Sequence, residues 1–490
     1  MLNGTAIENE RKQAIKTYFR NISVVPVLIA GLGFLHADGT GAQEVTSLYS
    51  FAVNSYPEDS LLIKGKTLYG TTESGGDFSG GSVFAVNTDG SGFTNLHSFT
   101  NPSGGPPYPN GDGMLPAANV ILSGGMLYGT TMRGGSQGDG AIFAVKTDGT
   151  GFTNLHSFGS SDGIYPFAGL ILLGKTLYGT AHTAAAGFGS VFAINTDGSG
   201  FTNLYNFTGG NDGAVPIGGL VSSGNTLYGT TPYGGSNGTG TIFGLQADGS
   251  GFTNLYSFTA IAVPAYQTNS DGANPESSLI ISGNTLFGTA YKGGVGANGT
   301  VFAIKTDGTG FTNLHSFAPP PGNIFVATNS DGEAPYAGLL LVGHTLYGAA
   351  VNGGSPGEGT LFALSTDGTG FTNLYIFKGI EGYKPYGGLI ISGNILYGTT
   401  AQGGPNGYGS LFSLTLPAPQ LAIATSGTNM MLTWPTNVAG FDYTGYTLQC
   451  TTNLASPSWS TVSPPPVIFN GAETVTNANS GTQMYYQLIQ

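Results

Sequence analysis

Several short patterns in this sequence carry the letters of known chemistry. Gly169 to Thr176 reads GLILLGKT, the G-x-x-x-x-G-K-T spacing of a phosphate-binding loop. Ser136, Ser236 and Ser355 each stand in G-x-S-x-G, the letters of a nucleophile elbow. Asp112, Asp162, Asp212, Asp271, Asp331 and Glu381 each lie four residues before a proline, so a repeated fold would set them in a ring able to collect a cation. His97, His156 and His315 recur inside one motif, and His182 stands apart from them. Phosphate binding, acyl transfer, metal binding and acid–base work are the chemistries to weigh. The elements that would position these residues decide among them.

Those elements are repeats. LYG or LFG places its glycine at Gly70, Gly129, Gly179, Gly229, Gly288, Gly348 and Gly398. Each copy lies in a longer unit with four β-type segments. Segment a runs from a proline through an apolar stretch, as in PFAGLILLG, and b is TLYGTA. Segment c is SVFAIN and d is FTNLYNF. A Gly-x pair joins a to b, which suits a type II′ hairpin, and Asp-Gly-Ser/Thr-Gly joins c to d. Four strands in each 50–60 residues predict a β-propeller. The last unit stops after its c segment, whereas VTSLYSF, Val45 to Phe51, precedes the first unit and reads as a d segment. The expected fold is therefore all-β: a seven-bladed β-propeller over 43–417, closed by an N-terminal strand that removes the exposed edges. Residues 418–490 change composition and hold Trp434 and Trp459. They read as a small C-terminal β-sandwich resembling fibronectin type III-like domains.

The repeat frame disposes of most motifs. In GLILLGKT the x positions are strand a and Gly174-Lys175 is the hairpin turn, so no helix follows and no nucleotide binding is expected. The three serines occupy equivalent b–c loops, and three copies of a nucleophile argue against catalysis. The six carboxylates each precede glycine and are expected to cap their own turns. Calcium would need about 6–8 oxygens at close range, which a wide ring does not provide. His97, His156 and His315 share the d position of Tyr49, Tyr205, Tyr256 and Tyr375, as a flat body with a polar tip would. His36 falls in the N-terminal segment and His344 in a hairpin turn. No metal site and no cofactor is expected, and the balance stands against an enzyme.

Residues 1–42 read as an export signal: Arg11, Lys12, Lys16 and Arg20 precede the apolar run Ile22 to Ala37, with small residues before Gln43. Their removal moves the formal charge from −13 to −14, which disfavours nucleic acid as a partner. No other segment is long and apolar enough to predict a membrane-spanning helix. The single Cys450 allows no internal disulfide and is expected to be a buried small apolar residue. The segments DGTGFTNLHSF, LIISGNTLFGTA and GTVFAIKTDG resemble the GloVer (Gloeo_Verruco) tandem repeat of secreted bacterial proteins, over roughly 45–416. That resemblance implies export and often surface anchoring, and no known activity. A hydrophobic terminus followed by a basic cluster, which would anchor such a protein, is not seen.

Function is expected where the repeats differ. The a–b and c–d turns are short, whereas b–c and d–a connections vary, and the d–a insertions fall in three repeats. Two adjacent b–c positions change from copy to copy: Glu73-Ser74, Met132-Arg133, His182-Thr183, Pro232-Tyr233, Tyr291-Lys292, Val351-Asn352 and Ala401-Gln402. Arg133, His182, Tyr233, Tyr291, Lys292, Asn352 and Gln402 are thus the candidate ligand contacts. The plain alternative is that they are solvent-facing loop tips. The expected function is a secreted or cell-surface binding or adhesion module, monomeric, with a glycan or surface protein as partner. The alternatives are an extracellular polysaccharide hydrolase or lyase using acids at the channel mouth, and a structural envelope protein.

Overall fold

The computed structural model describes residues 44–489 apart from 53–54, 103–107, 184–186, 262–267, 320–328, 427–428, 439–440, 443–445, 454–457, 470–471 and 479–483. The expected export segment and much of the three d–a insertions lie outside the described residues. Among the described residues there is no helix, and hence none long and apolar enough to cross a membrane.

Each repeat forms one four-stranded antiparallel sheet in the order a-b-c-d. In the third repeat the strands are Ile171–Leu173, Thr176–Ala181, Ser190–Asn195 and Thr202–Asn206. The a–b turn works because Gly174 takes φ of +63°, which a β-carbon would oppose. The last repeat takes its fourth strand from the other end of the chain. Val45–Ser50 pairs antiparallel with Ser410–Thr415, from Val45 opposite Leu414 to Ser50 opposite Ser410. The displaced strand expected from the sequence is therefore present and hydrogen-bonded.

Phenylalanine joins the sheets. The glycine of each LYG lies across from a c-strand phenylalanine, and a β-carbon on Gly229 would come within 2.6 Å of Phe243 Cζ. Only glycine lets that ring lie flat on strand b. The same ring meets the d-strand phenylalanine of the preceding repeat edge to face: Phe158–Phe192 at 5.2 Å, Phe207–Phe243 at 5.2 Å and Phe258–Phe302 at 5.4 Å. Phe51 and Phe84 repeat the contact at 5.3 Å between the last sheet and the first. These rings are almost wholly buried, and aromatic pairs in this geometry add about 0.5–1.5 kcal/mol beyond their area.

A second junction lies nearer the a strands. The threonine after LYG donates to a main-chain carbonyl of the next repeat: Thr71 to Ala118, Thr130 to Ala168, Thr180 to Gly218, Thr230 to Ser277 and Thr289 to Ala337, at 3.0–3.3 Å. Thr399 closes the circuit by donating to Asp59 O at 2.9 Å. The sixth repeat has Ala349 in this place.

The strand expected from each proline starts five residues later. Pro166 is followed by Ile171–Leu173, and Pro57 by Leu62–Lys64. Proline lacks an N–H for the ladder, and the residue before it has positive φ in every repeat: Tyr56, Leu115, Tyr165, Val215, Asn274, Ala334 and Lys384, at 45–63°. The chain is turned there, and the residues after proline leave the sheet.

Beyond the repeats, Ala422–Ser426, Asn429–Pro435, Ala472–Ala478 and Val467–Phe469 form one sheet. Ser460–Thr461, Thr447–Thr451 and Tyr485–Ile489 form another. Leu432, Trp434, Leu448, Val462 and Val475 make their shared core. Cys450 is half-buried against this core, with Sγ 3.8 Å from Ser460 Oγ, rather than fully buried as expected.

Candidate functional site

The residues that leave the sheets meet one another. The three positions after each proline supply most of the wall of a cavity of about 450 Å³ to which all seven repeats contribute. The middle position is small in six repeats: Ala118, Ala168, Gly218, Ser277, Ala337 and Gly387. Its carbonyl takes the threonine bond wherever a threonine is present, and a β-carbon on Gly218 would come within 2.6 Å of Ser277 O. The first repeat breaks the rule with Asp59.

The first position after proline differs around the wall. It is Glu58, Ala117, Phe167, Ile217, Glu276, Tyr336 and Tyr386 in repeats one to seven. Repeats two to four therefore present an apolar arc. Repeats five, six, seven and one present carboxylates and phenols, joined by Glu73 and Tyr291 from the b–c loops. The tyrosines follow one another edge to face, Tyr291 to Tyr336 at 6.1 Å and Tyr336 to Tyr386 at 5.5 Å between centroids.

The acids are poorly solvated here, and this raises their affinity for protons. Burial, then the charges of Glu58 and Glu73, push the Asp59 carboxyl up to about 8. Asp59 lies deep in the protein, and its partial exposure is to the cavity it lines. Burial, then Glu73, pushes Glu58 up to about 7. Burial pushes Glu276 up to about 7 against the opposing charge of Lys292. Tyr336 is driven well above the ordinary phenol range by burial and then by Glu276, Asp59 and Glu58, so the fields of both carboxylate groups converge on it.

The b–c residues singled out from sequence divide between two places. Tyr291 lines the cavity, as does Glu73 in the same position of the first repeat. His182 packs on the lining residue Phe167 at 5.4 Å, and its Nδ1 lies 2.8 Å from Thr183 Oγ1. Burial lowers its affinity for protons. Arg133 sits over Tyr165 at 4.7 Å and Tyr108 at 5.9 Å, tying two repeats together. Lys292 Nζ lies 5.8 Å from the Tyr291 centroid, and Asn352 accepts a hydrogen bond from Lys384 Nζ. Tyr233, half exposed, and Gln402, exposed, stay at the surface, each bridged through its backbone to the residue after an acidic-Gly pair.

The carboxylates before glycine do not cap the turn ahead of it as expected but tie the d–a connection back to the end of strand d. In the long connections Asn110, Asn269 and Asn329 cap that turn by accepting from Gly113, Gly272 and Gly332 N. Asp212 accepts from Thr208 N at 2.8 Å and Asp271 from Thr259 N at 2.9 Å. They also receive the d-strand side chain: Tyr205 at 3.0 Å, Tyr256 at 2.7 Å, and Tyr375 on Glu381 at 2.6 Å. His97, His156 and His315 place Nε2 at 3.2–3.3 Å from Asp112, Asp162 and Asp331. Histidine and tyrosine exchange at this position because either can present a polar tip to the acid. Burial pushes the Asp112 carboxyl up, but bonds from His97 and Thr100 outweigh it and hold the group below its ordinary value. Ser136, Ser236 and Ser355 are exposed on their loops.

The repeat that builds this wall matches the Gloeobacter/Verrucomicrobia repeat over residues 107–269 and 323–440, more than half of the chain. The chain belongs to that family. No curated protein matches the sequence. Among solved structures, a chain of a nidogen–laminin complex is similar at 13% identity and TM-score 0.38, over 66% of this chain and 96% of that one. An oligogalacturonate lyase in complex with manganese gives 10% identity and TM-score 0.45, over 80% and 97%. TolB from Acinetobacter baumannii gives 13% and 0.34, over 59% and 58%.

This family member thus carries a propeller-like array of repeats around an asymmetric cavity. Its acids can accept hydrogen bonds or hold protons at neutral pH, its phenols offer ring faces, and its apolar arc takes hydrocarbon. The wall is hidden in the sequence because the residues after proline read as the start of strand a. The available signal was that Glu, Ala, Phe, Ile and Tyr exchange at a position bracketed by repeated residues.

Proposed function

We propose that the seven sheets form a closed seven-bladed β-propeller with a C-terminal fibronectin type III-like β-sandwich, and that this protein is an exported, monomeric binding module. Its ligand sits in the cavity where the repeats converge. One observation carries this reading: the residues after the seven prolines face one cavity and differ there, while the frame behind them is the same in each repeat. A cavity of this size, with polar groups on one side and an apolar arc on the other, is suited to a small ligand. The basic and apolar segment before Gln43 supports export.

The test is a binding screen on the full chain with glycans, cell-wall fragments and small organic molecules. The wild type is expected to retain at least one saturably. Ala117→Trp, which fills the apolar arc, is expected to lose it while melting as the wild type does. Ligands that bind the filled variant equally well, or a screen without any ligand, contradict the reading.

One observation favours a second reading, a polysaccharide-cleaving enzyme. Acids held near neutrality, such as Glu58 and Glu276, are suited to general acid catalysis. New reducing ends or unsaturated ends released from a polysaccharide by the wild type, and lost in Glu276→Gln, would establish it over simple binding.

A further inference from the structure

The cavity wall carries more negative charge than its own residues answer. Asp59, Glu58 and Glu276 accept no side-chain hydrogen bond and form no ion pair among the described residues. Lys292 opposes Glu276 from a distance, but no cationic side chain acts on Glu58, Asp59 or Glu73. These carboxyls are half-buried and face the cavity, where poor solvation makes an opposite charge brought against them favourable. Something brought in from outside would complete them.

A bare metal ion does not fit. Among the described residues no three acidic, histidine or cysteine side chains gather closely enough to hold one. The acids are instead spread in two groups: Glu58, Asp59 and Glu73 on the first repeat, Glu276 on the fifth. Between them, along the wall, lie Tyr386 and Tyr336 of the seventh and sixth repeats. The occupant that answers this order has cationic N–H donors at its ends and hydrocarbon between, for the donors would meet carboxylates and the methylenes would cross the phenol rings. The protein already places one primary ammonium on this aromatic row, where Lys292 Nζ stands 5.8 Å from the Tyr291 centroid. A neutral sugar would satisfy some acceptors and leave the charges unopposed.

Resting on the reading of this cavity as the binding site, we propose that its ligand class is a protonated alkyl polyamine, with one ammonium among Glu58, Asp59 and Glu73 and another towards Glu276. Burial, with repulsion among Glu58, Asp59 and Glu73, raises the proton affinity of these acids, so binding of a cation also releases protons.

The test is calorimetric titration of the full chain at pH 8 with spermidine, 1,4-diaminobutane, butylamine and 1,4-butanediol. Spermidine and the diamine are expected to bind saturably, butylamine at least tenfold more weakly, and the diol not at all. Glu58→Gln and Glu276→Gln should each weaken spermidine at least tenfold. Asp148→Asn, which removes an exposed turn carboxylate, should leave its affinity unchanged, whereas diffuse attraction to a chain of net charge −13 would be unsaturable and alike in all variants. Thermal melts check that each variant is folded, and Tyr336→Leu supplies an uncharged second probe with the same expected loss. Equal binding of diol and diamine, or no effect of Glu58→Gln, overturns the polyamine assignment. If a glycan binds and Ala117→Trp abolishes it while spermidine fails, the cavity reading stands and this inference falls. If neither class binds, both fall.

Discussion

The phenylalanine junctions and the cavity wall are built from the same repeats and behave in opposite ways. Where sheet meets sheet, each repeat supplies the same ring to the same neighbour. The Phe51–Phe84 closure at 5.3 Å is indistinguishable from Phe99–Phe143 at 5.2 Å or Phe377–Phe412 at 5.4 Å. At the wall the repeats diverge, and acids crowd onto one side. Packing has one good answer, so every copy gives it. A wall that served packing alone would be uniform too, and this one sets carboxylates without ion-pair partners on one side only. That difference is the reason for the proposal that ligand binds where the repeats stop agreeing.

The comparison breaks first if the closing junction is weaker than an internal one. Phe243→Ala and Phe51→Ala should each destabilise by about 3–5 kcal/mol, as large-to-small changes at buried aromatics do. Urea unfolding measures both, and a much smaller loss for Phe51→Ala would mean that the ends meet without holding.

The wall can be set against the frame by pH. An acid whose proton affinity rises on folding stabilises below its unfolded value and loses that contribution as pH rises through its folded value. Glu58 and Glu276 near 7 and Asp59 near 8 therefore predict stability falling between about pH 5 and pH 9. Glu276→Gln should recover on the order of 1 kcal/mol at the alkaline end. A melting temperature flat over that range would remove the claimed strain. Smaller still is the threonine circuit: Thr230→Val should cost about 1 kcal/mol, and Ala349→Thr should recover part of that at the one junction without it. Chemical denaturation of the two variants checks this. The smallest effect is a gain. Val215, β-branched at φ of +63°, is strained, and Val215→Gly should stabilise by about 0.5–1 kcal/mol in the same assay.

Much of the frame was legible because it depends on local rules. Gly174 and Asp148-Gly149 announce hairpins through backbone conformation, and the b segment TLYGTA coincides with strand Thr176–Ala181. The displaced strand was legible because one copy of a repeated segment stood at the wrong end. The wall was not, since it depends on where seven distant segments converge. PFAG and PESS stand directly before the apolar residues of strand a and read as its start, and only tertiary structure shows Phe167 and Glu276 facing a common space. The partnership of His156 with Asp162 was missed for a related reason. Each residue has a sufficient local explanation, and nothing in the sequence links the two. Of the loop residues chosen from sequence, Tyr291 lines the cavity from the first of the two variable positions, whereas His182 in that position packs on Phe167 instead. Tyr233 and Gln402 occupy the second and remain at the surface.

Ligand is expected to bind where the repeats differ. A crystal structure of the full chain with the strongest binder from the screen should show density inside the cavity, in contact with Tyr336 and at least one of Glu58, Asp59 and Glu276. Density at the outer loop tips beside Tyr233 or Gln402, with the cavity unchanged, would contradict it.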